Sequence, residues 1–132
     1  VNSGGDNIAP QRIEGFLTLQ PEIGQAMVHG DKRPHLVALI VPDADFAGEW
    51  ARANGAEASL PALCGNDAFR AAVGEAIERI NADLSVIERV RRFILTPETF
   101  TTENEMLTPS MKIRRHIIRE RYGDRLEALY GR

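Results

Sequence analysis

Apolar residues recur at helical spacing in several segments of the chain. The longest pattern covers residues 69–84, where they lie three and four residues apart with charged side chains between them. An earlier helix is predicted over residues 10–20, because Pro10 can occupy its first position without losing a helical hydrogen bond. Asp43 is a helix-capping residue type, so a helix is expected to follow it and to end near Gly55.

The last part of the chain has the pattern of two more helices. They are predicted over residues 111–122 and 124–130, and Gly123 between them is the residue type that commonly caps a helix C-terminus. In contrast, residues 56–65 contain Pro61 and show no clear period, so no element is predicted there.

Strand-like segments lie between these helices. Residues 23–29 and 35–41 are predicted to pair as an antiparallel hairpin, because residues 30–34 have the length and composition of a hairpin connection. Residues 36–41 are apolar on both faces, which indicates a central, buried strand, and residues 90–95 are predicted to form a third strand. The predicted fold class is α+β: a small mixed sheet of about three strands, including the β-hairpin, with helices packed against it.

Length and composition are those of one compact domain. The chain has 132 residues, of which 43% are hydrophobic and 27% charged. Its longest apolar run, residues 36–41, is too short to span a membrane, and Cys64 is the only cysteine. A cytoplasmic setting is therefore expected, with Cys64 a packing residue.

The start of the chain and its charge distribution complicate this picture. The chain begins with Val1 and continues with a polar, glycine-bearing segment, which predicts a piece of a longer protein. Residues 1–88 carry 6 Lys and Arg against 13 Asp and Glu, whereas residues 89–132 carry 10 against 6. The basic last third suggests an anionic partner, although a solvated helix face is a second explanation.

Few residues suggest chemistry by their spacing alone. The three histidines have no metal-binding spacing, and no Gly-x-Ser-x-Gly nucleophile motif is present. Ser3, Gly4 and Gly5 offer unobstructed backbone N–H groups before a helix, which suits a phosphate or a narrow ligand, but also an ordinary turn. Lys112 is predicted in the first turn of its helix, where the helix dipole disfavours a cation. This position favours an anionic ligand, and a solvated surface lysine is the alternative.

Two motifs nevertheless resemble a known family. The run Gly4-Gly5-Asp6-Asn7-Ile8-Ala9-Pro10, followed by Ile13-Glu14, is similar to the motif that opens the C-terminal subdomain of acyl-adenylate-forming enzymes. The run from Glu103 to Lys112, which ends in Leu-Thr-Pro-Ser-Met-Lys, resembles the catalytic-lysine motif of long-chain fatty-acyl-CoA synthetases. The hairpin segment between them matches the same branch, so the resemblance covers essentially the whole chain.

The resemblance implies a function and a domain assignment. Residues 1–132 would form a single mobile C-terminal subdomain, and a large N-terminal domain would hold the acyl pocket, most of the ATP site and Mg²⁺. The full enzyme would join ATP and a long-chain fatty acid into an acyl-adenylate and then transfer the acyl group to coenzyme A. Peripheral membrane association of that enzyme stays open, no nucleic-acid partner is expected, and this piece alone is predicted to be inactive.

The resemblance also implies roles for individual residues. Lys112 would contact the substrate carboxylate and the α-phosphate during adenylation, and after rotation of the subdomain the loop Ser3-Gly4-Gly5-Asp6 would line the coenzyme A channel. The basic character of the last third, and not the resemblance, makes Arg114, Arg115 and Arg119 candidate contacts for a nucleotide or coenzyme A phosphate, with solvated side chains as the alternative. Arg89, Arg91 and Arg92 are similar candidates.

Some positions depart from the family pattern, and other functions remain open. Asp6 replaces the more frequent Glu, Ala9 replaces a capping Ser, and Met111 replaces the Gly that most members outside the long-chain branch have before the lysine. The alternatives are another adenylate-forming ligase, acting on aryl or amino acids, and a stand-alone binding or regulatory module that uses the basic C-terminal helix.

Overall fold

A computed structural model describes residues 9–30 and 33–131 of the chain. Within them it has five α-helices packed on a three-stranded mixed sheet, which confirms the α+β fold class. The helices are α1 (Pro10–Thr18), α2 (Ala44–Asn54), α3 (Leu60–Cys64), α4 (Asp67–Asn81) and α5 (Arg115–Ala128), with 3₁₀ turns over Val86–Glu88 and Leu129–Gly131. The strands are β1 (Ile23–His29), β2 (Leu36–Pro42) and β3 (Val90–Leu95).

The sheet has the order β1-β2-β3, with β1 antiparallel and β3 parallel to β2. The antiparallel hairpin and the central position of β2 are therefore confirmed, and every residue of β2 is buried. A parallel neighbour requires a long crossover connection, which α2, α3 and α4 provide between β2 and β3. Leu39 of β2 lies opposite Met27 on one side and Ile94 on the other.

Two apolar clusters cover the two faces of this sheet. Side chains alternate along β2, so that Ala38 and Ile40 join the cluster formed with α1, α2 and α4. Leu39 and Val41 join the second cluster, which contains α5 and the segment that precedes it. We call these the α1 layer and the α5 layer. The sheet thus lies between α1 on one face and α5 on the other.

The prediction of two C-terminal helices is wrong. One helix, α5, begins at Arg115 and continues through Gly123, which therefore is not a cap. Glycine in a helix interior costs roughly 1 kcal/mol. Ile118, Tyr122 and Leu126 lie four residues apart on the buried face of α5, and their burial outweighs that cost.

Helix α1 and the segment 56–65 also differ from the sequence-based expectation. Helix α1 ends at Thr18, two residues earlier than expected. Within residues 56–65 the short helix α3 was missed, although Ser59 caps it by accepting a hydrogen bond from the Ala62 N–H at 3.3 Å. Ser59 followed by Pro61 is a helix-start signal that could have revealed it.

Candidate functional site

Lys112 lies on a tight turn before α5, and not in the first turn of a helix as predicted. Leu107 and Ile113 form an antiparallel bridge at the base of this turn. The Thr108 N–H donates to the Lys112 carbonyl oxygen at 2.8 Å, and the Lys112 N–H donates to Thr108 Oγ1 at 3.0 Å. The argument from the helix dipole therefore does not apply to Lys112. Instead, Thr108 fixes the lysine backbone on both sides while the side chain stays exposed.

The base of this turn is anchored in the α5 layer. Met106 is completely buried and Leu107 nearly so, and the Arg114 N–H donates to the Met106 carbonyl oxygen at 2.7 Å. At the tip, Met111 has a φ of 68° and is 67% exposed. We refer to residues 107–113 as the lysine hairpin. It presents Lys112 to solvent from a backbone that is fixed at its base.

Lys112 lies in an open groove of about 360 Å³ between the lysine hairpin and α1. The other lining residues are Gln11, Glu14, Ile113 and Arg115. The groove therefore brings together the end of the first motif and the end of the second, which are about a hundred residues apart in sequence. Within residues 9–30 and 33–131, no carboxylate forms an ion pair with Lys112. Because the Lys112 side chain is exposed and lines the groove, an anion that enters the groove can reach its ammonium group.

A buried ion pair forms the wall of this groove. Arg115 Nη1 lies 2.7 Å from Glu14 Oε2, and Arg115 Nη2 lies 3.0 Å from Glu14 Oε1. The same Glu14 Oε2 accepts the Val28 N–H at 2.8 Å, and Arg115 Nη1 donates to the Val28 carbonyl oxygen at 3.3 Å. Both side chains are largely buried, and two hydrogen bonds join them. Removing one of the two charges would therefore leave the other buried without a partner of opposite charge.

The remaining candidate residues occupy different environments. Arg114 is the half-buried N-cap residue of α5 and lies in sequence between Ile113 and Arg115, which line the groove. Arg115, considered as a phosphate contact, is paired with Glu14, and Arg119 is exposed on α5. Arg89 and Arg92 donate to the carbonyl oxygens of Leu84 and Leu129. Ser3, Gly4, Gly5 and Asp6 lie outside the described residues.

Glu14 enters the sequence-based prediction only as part of a motif, without a role of its own. A usable signal was present, because Glu14 lies between Ile13 and Leu17 on the buried face of α1. A carboxylate at such a position needs a cationic partner. The partner itself could not be identified from spacing.

The described residues contain neither a metal-binding cluster nor a helix that could span a membrane. No group of three or more His, Cys, Asp or Glu there could hold a metal ion. None of the helices that the structure describes has both the length and the apolar character needed to cross a bilayer.

Relatives of the chain include named fatty-acid ligases. It is 37% identical over 96% of its length to long-chain-fatty-acid–CoA ligase 1 of Cavia porcellus, of which it covers 19%. It is 34% identical over its whole length to long-chain-fatty-acid–CoA ligase FadD15 of Mycobacterium tuberculosis, of which it covers 22%. The chain thus spans about a fifth of the length of these relatives.

Structural and family comparisons agree with these relatives. The adenylation domain of a carboxylate reductase from Mycobacterium chelonae superposes with a TM-score of 0.80 at 28% identity, over 99% of this chain and 19% of that one. A family model for the AMP-binding enzyme C-terminal domain matches residues 1–132. The chain therefore belongs to the family of AMP-binding enzyme C-terminal domains.

Proposed function

We propose that this chain is the C-terminal part of a long-chain fatty-acid–CoA ligase and that Lys112 is its adenylation lysine. The observation that carries the proposal is the position of Lys112, exposed in a groove on a hairpin whose base is buried. The identity of 37% to a long-chain-fatty-acid–CoA ligase supports this substrate class.

In the proposed first half-reaction, a fatty-acid carboxylate oxygen attacks the α-phosphorus of ATP and pyrophosphate leaves. Negative charge accumulates around that phosphorus, and the carboxylate and the phosphate repel each other as they approach. An ammonium group between them offsets the repulsion and aligns the reactants, which is the role we assign to Lys112. Arg114, one residue beyond Ile113, is proposed as a weaker contact to a phosphate group of the nucleotide or of coenzyme A.

In the proposed second half-reaction, the sulfur of coenzyme A attacks the acyl carbonyl carbon and AMP leaves. The proposed motion is a rotation of the whole C-terminal domain that withdraws Lys112 and brings in the loop Ser3-Gly4-Gly5-Asp6. Glycines in that loop would let the backbone approach the narrow pantetheine arm closely. The support for this assignment is the motif in the sequence.

The proposed partner of this domain is the N-terminal domain of the same enzyme. The chain covers only 19% and 22% of two ligase relatives, so most of the machinery of such an enzyme would lie in that domain. It would hold the acyl pocket, most of the ATP site and the Mg²⁺ that accompanies ATP. The full enzyme would act in the cytoplasm, and association with a membrane surface remains part of the proposal.

A second candidate function shares the first half-reaction and differs in the acyl acceptor. The likeness to a carboxylate reductase adenylation domain, with a TM-score of 0.80 at 28% identity, supports a second candidate in which the acyl-adenylate would pass to an acceptor other than coenzyme A. The two candidates are distinguished by supplying preformed acyl-adenylate with coenzyme A and measuring acyl-CoA. Formation of acyl-CoA at the rate of the complete reaction supports the ligase.

The role of Lys112 is tested by Lys112→Ala in the full-length protein. Pyrophosphate release from ATP and fatty acid should fall by roughly a hundredfold or more, because an aligning and charge-stabilising group is lost. Acyl-CoA formation from preformed acyl-adenylate and coenzyme A should stay close to wild type. The control is Arg52→Ala, which removes one cation from the exposed surface of α2 and should leave both rates unchanged. Normal acyl-adenylate formation by the Lys112 variant would overturn the assignment.

A further inference from the structure

We propose that Glu14 and Arg115 are positioning residues that hold the lysine hairpin in its adenylation geometry. The inference rests on the proposed role of Lys112 and extends it to two residues that need not touch the substrate. Both side chains line the groove that contains Lys112, and Arg115 follows the lysine by three positions. The pair lies where a small shift would be transmitted directly to the lysine.

The ion pair connects the two layers of the molecule across the edge of the sheet. Glu14 belongs to α1 in the α1 layer, and Arg115 begins α5 in the α5 layer. Strand β1 is an edge strand, and the pair binds both the N–H and the carbonyl oxygen of Val28. The two side chains thus take the place of a neighbouring strand at that residue and fix the start of α5 to the edge of the sheet.

The start of α5 lacks the side-chain cap and the acidic first-turn residue that usually stabilise a helix N-terminus. Its N-cap residue Arg114 makes no side-chain cap hydrogen bond, and its first turn contains no acidic residue. Arg114, Arg115 and His116 instead place basic residues at the positive end of the helix dipole. The Glu14 carboxylate, supplied from α1, provides the negative charge that this helix terminus lacks. Without it, the first turn of α5 and the hairpin attached to it should lose their fixed position.

Disruption of the Glu14–Arg115 ion pair should affect the position of the lysine hairpin more than that of α1. Helix α1 is held by the completely buried side chains of Ile13 and Leu17, which do not depend on the ion pair. The tip of the lysine hairpin, residues 109–112, is exposed and depends on its base and on the start of α5. Disrupting the pair should therefore impair adenylation and spare the thioester-forming step.

The test uses Glu14→Gln and Arg115→Lys in the full-length protein, with the two half-reactions measured separately. Glutamine keeps the shape of Glu14 without its charge, and lysine keeps the charge of Arg115 without the two parallel hydrogen bonds. Each variant should lower the kcat of pyrophosphate release by roughly 10- to 100-fold, since displacement of a catalytic group by about 1 Å has such an effect. Acyl-CoA formation from preformed acyl-adenylate should be unchanged.

A matched control comes from a second Glu–Arg pair. Glu22 accepts two hydrogen bonds at 2.7 Å from Arg79 of α4, and Glu22 is almost as buried as Glu14, but this pair joins the turn before β1 to α4, and neither residue lines the groove around Lys112. Glu22→Gln should leave both half-reactions unchanged. Equal losses in both half-reactions for the Glu14 and Arg115 variants, or adenylation at the wild-type rate, would overturn the inference. If Lys112→Ala adenylates normally, the proposed function fails as well, so the two failures are distinguishable.

Discussion

Met111 adopts a backbone conformation that residues with a Cβ atom rarely adopt. Its φ of 68° lies in the left-handed region, which costs a non-glycine residue roughly 1–2 kcal/mol. Its side chain is 67% exposed, so burial within the described residues compensates little of this cost. The Met111 N–H donates to the Thr108 carbonyl oxygen at 2.8 Å, and this turn geometry maintains the strained residue. The lysine hairpin therefore stores strain next to Lys112.

We predict that Met111→Gly stabilises the chain by about 1 kcal/mol, because glycine adopts a positive φ without steric cost. For a domain of this size the melting temperature should rise by roughly 4 °C. Met111→Ala is the control: it removes the same exposed side chain and keeps the Cβ atom, so its melting temperature should not rise. Thermal unfolding followed by circular dichroism measures both. Equal melting temperatures for the glycine and alanine variants would show that the left-handed backbone carries no strain.

Lys112 could be predicted as a candidate residue from the sequence, but its local structure could not. The sequence identified the residue, because its motif is distinctive, but placed it in a helix. Thr108 determines the outcome: its hydroxyl and its N–H bind the backbone of Lys112, and such side-chain-to-backbone bonds compete with helix formation. Serine and threonine between residues 108 and 110 were the available warning that the helix begins later.

At the scale of elements, two tyrosines tie the C-terminal segment to the rest of the fold. The Tyr122 hydroxyl donates to Glu98 at 2.6 Å, and the Tyr130 hydroxyl donates to the carbonyl oxygens of His35 at 2.7 Å and His29 at 3.2 Å. Burial raises the pKa of both hydroxyls, and the pKa of Tyr130 reaches about 12. Each link thus requires the protonated hydroxyl.

These links predict a loss of stability at alkaline pH. An unfolded tyrosine ionises near pH 10, whereas in the folded chain both pKa values are higher, so above pH 10 the unfolded state loses protons first. The contribution of the two tyrosines to the free energy of unfolding should therefore be constant below about pH 10 and should fall as the pH rises toward 12. Urea unfolding at stepped pH, with tyrosinate absorbance of the native chain, measures this. Tyr130→Phe should weaken the dependence, and tyrosinate that appears near pH 10 in the folded chain would contradict it.

At the scale of elements, local sequence determines some boundaries, and tertiary packing determines others. The limits of β1 and β3 were predicted correctly, because turn residues bound both segments and their apolar patterns are strand-like. Helix α5 was divided incorrectly, because the helix-breaking tendency of Gly123 is local while the burial of Tyr122 and Leu126 is tertiary. The Glu14–Arg115 pair lay beyond prediction for a similar reason, since its members are 101 residues apart.

At the scale of the whole molecule, one sheet edge concentrates the residues proposed to act. Strand β1 lies between the α1 layer and the α5 layer, and the Glu14–Arg115 pair crosses its edge. The lysine hairpin and α1 are therefore parts of a single body. A rotation of this body relative to a partner domain would move Lys112 and the Glu14–Arg115 pair together, as the proposed function requires.

This architecture leads to the last prediction, which concerns the chain on its own. Both faces of β2 are covered by helices of the same chain, so the core is complete without a partner, and the chain of 132 residues should unfold in one cooperative transition. The groove around Lys112 is open and is lined by only five residues, too few to enclose ATP and a fatty acid. Calorimetry and light-scattering mass should therefore report a folded chain, while a pyrophosphate-release assay should detect no turnover until the N-terminal domain is added. Release by the chain alone would place the adenylation site within these residues and remove the need for a partner domain.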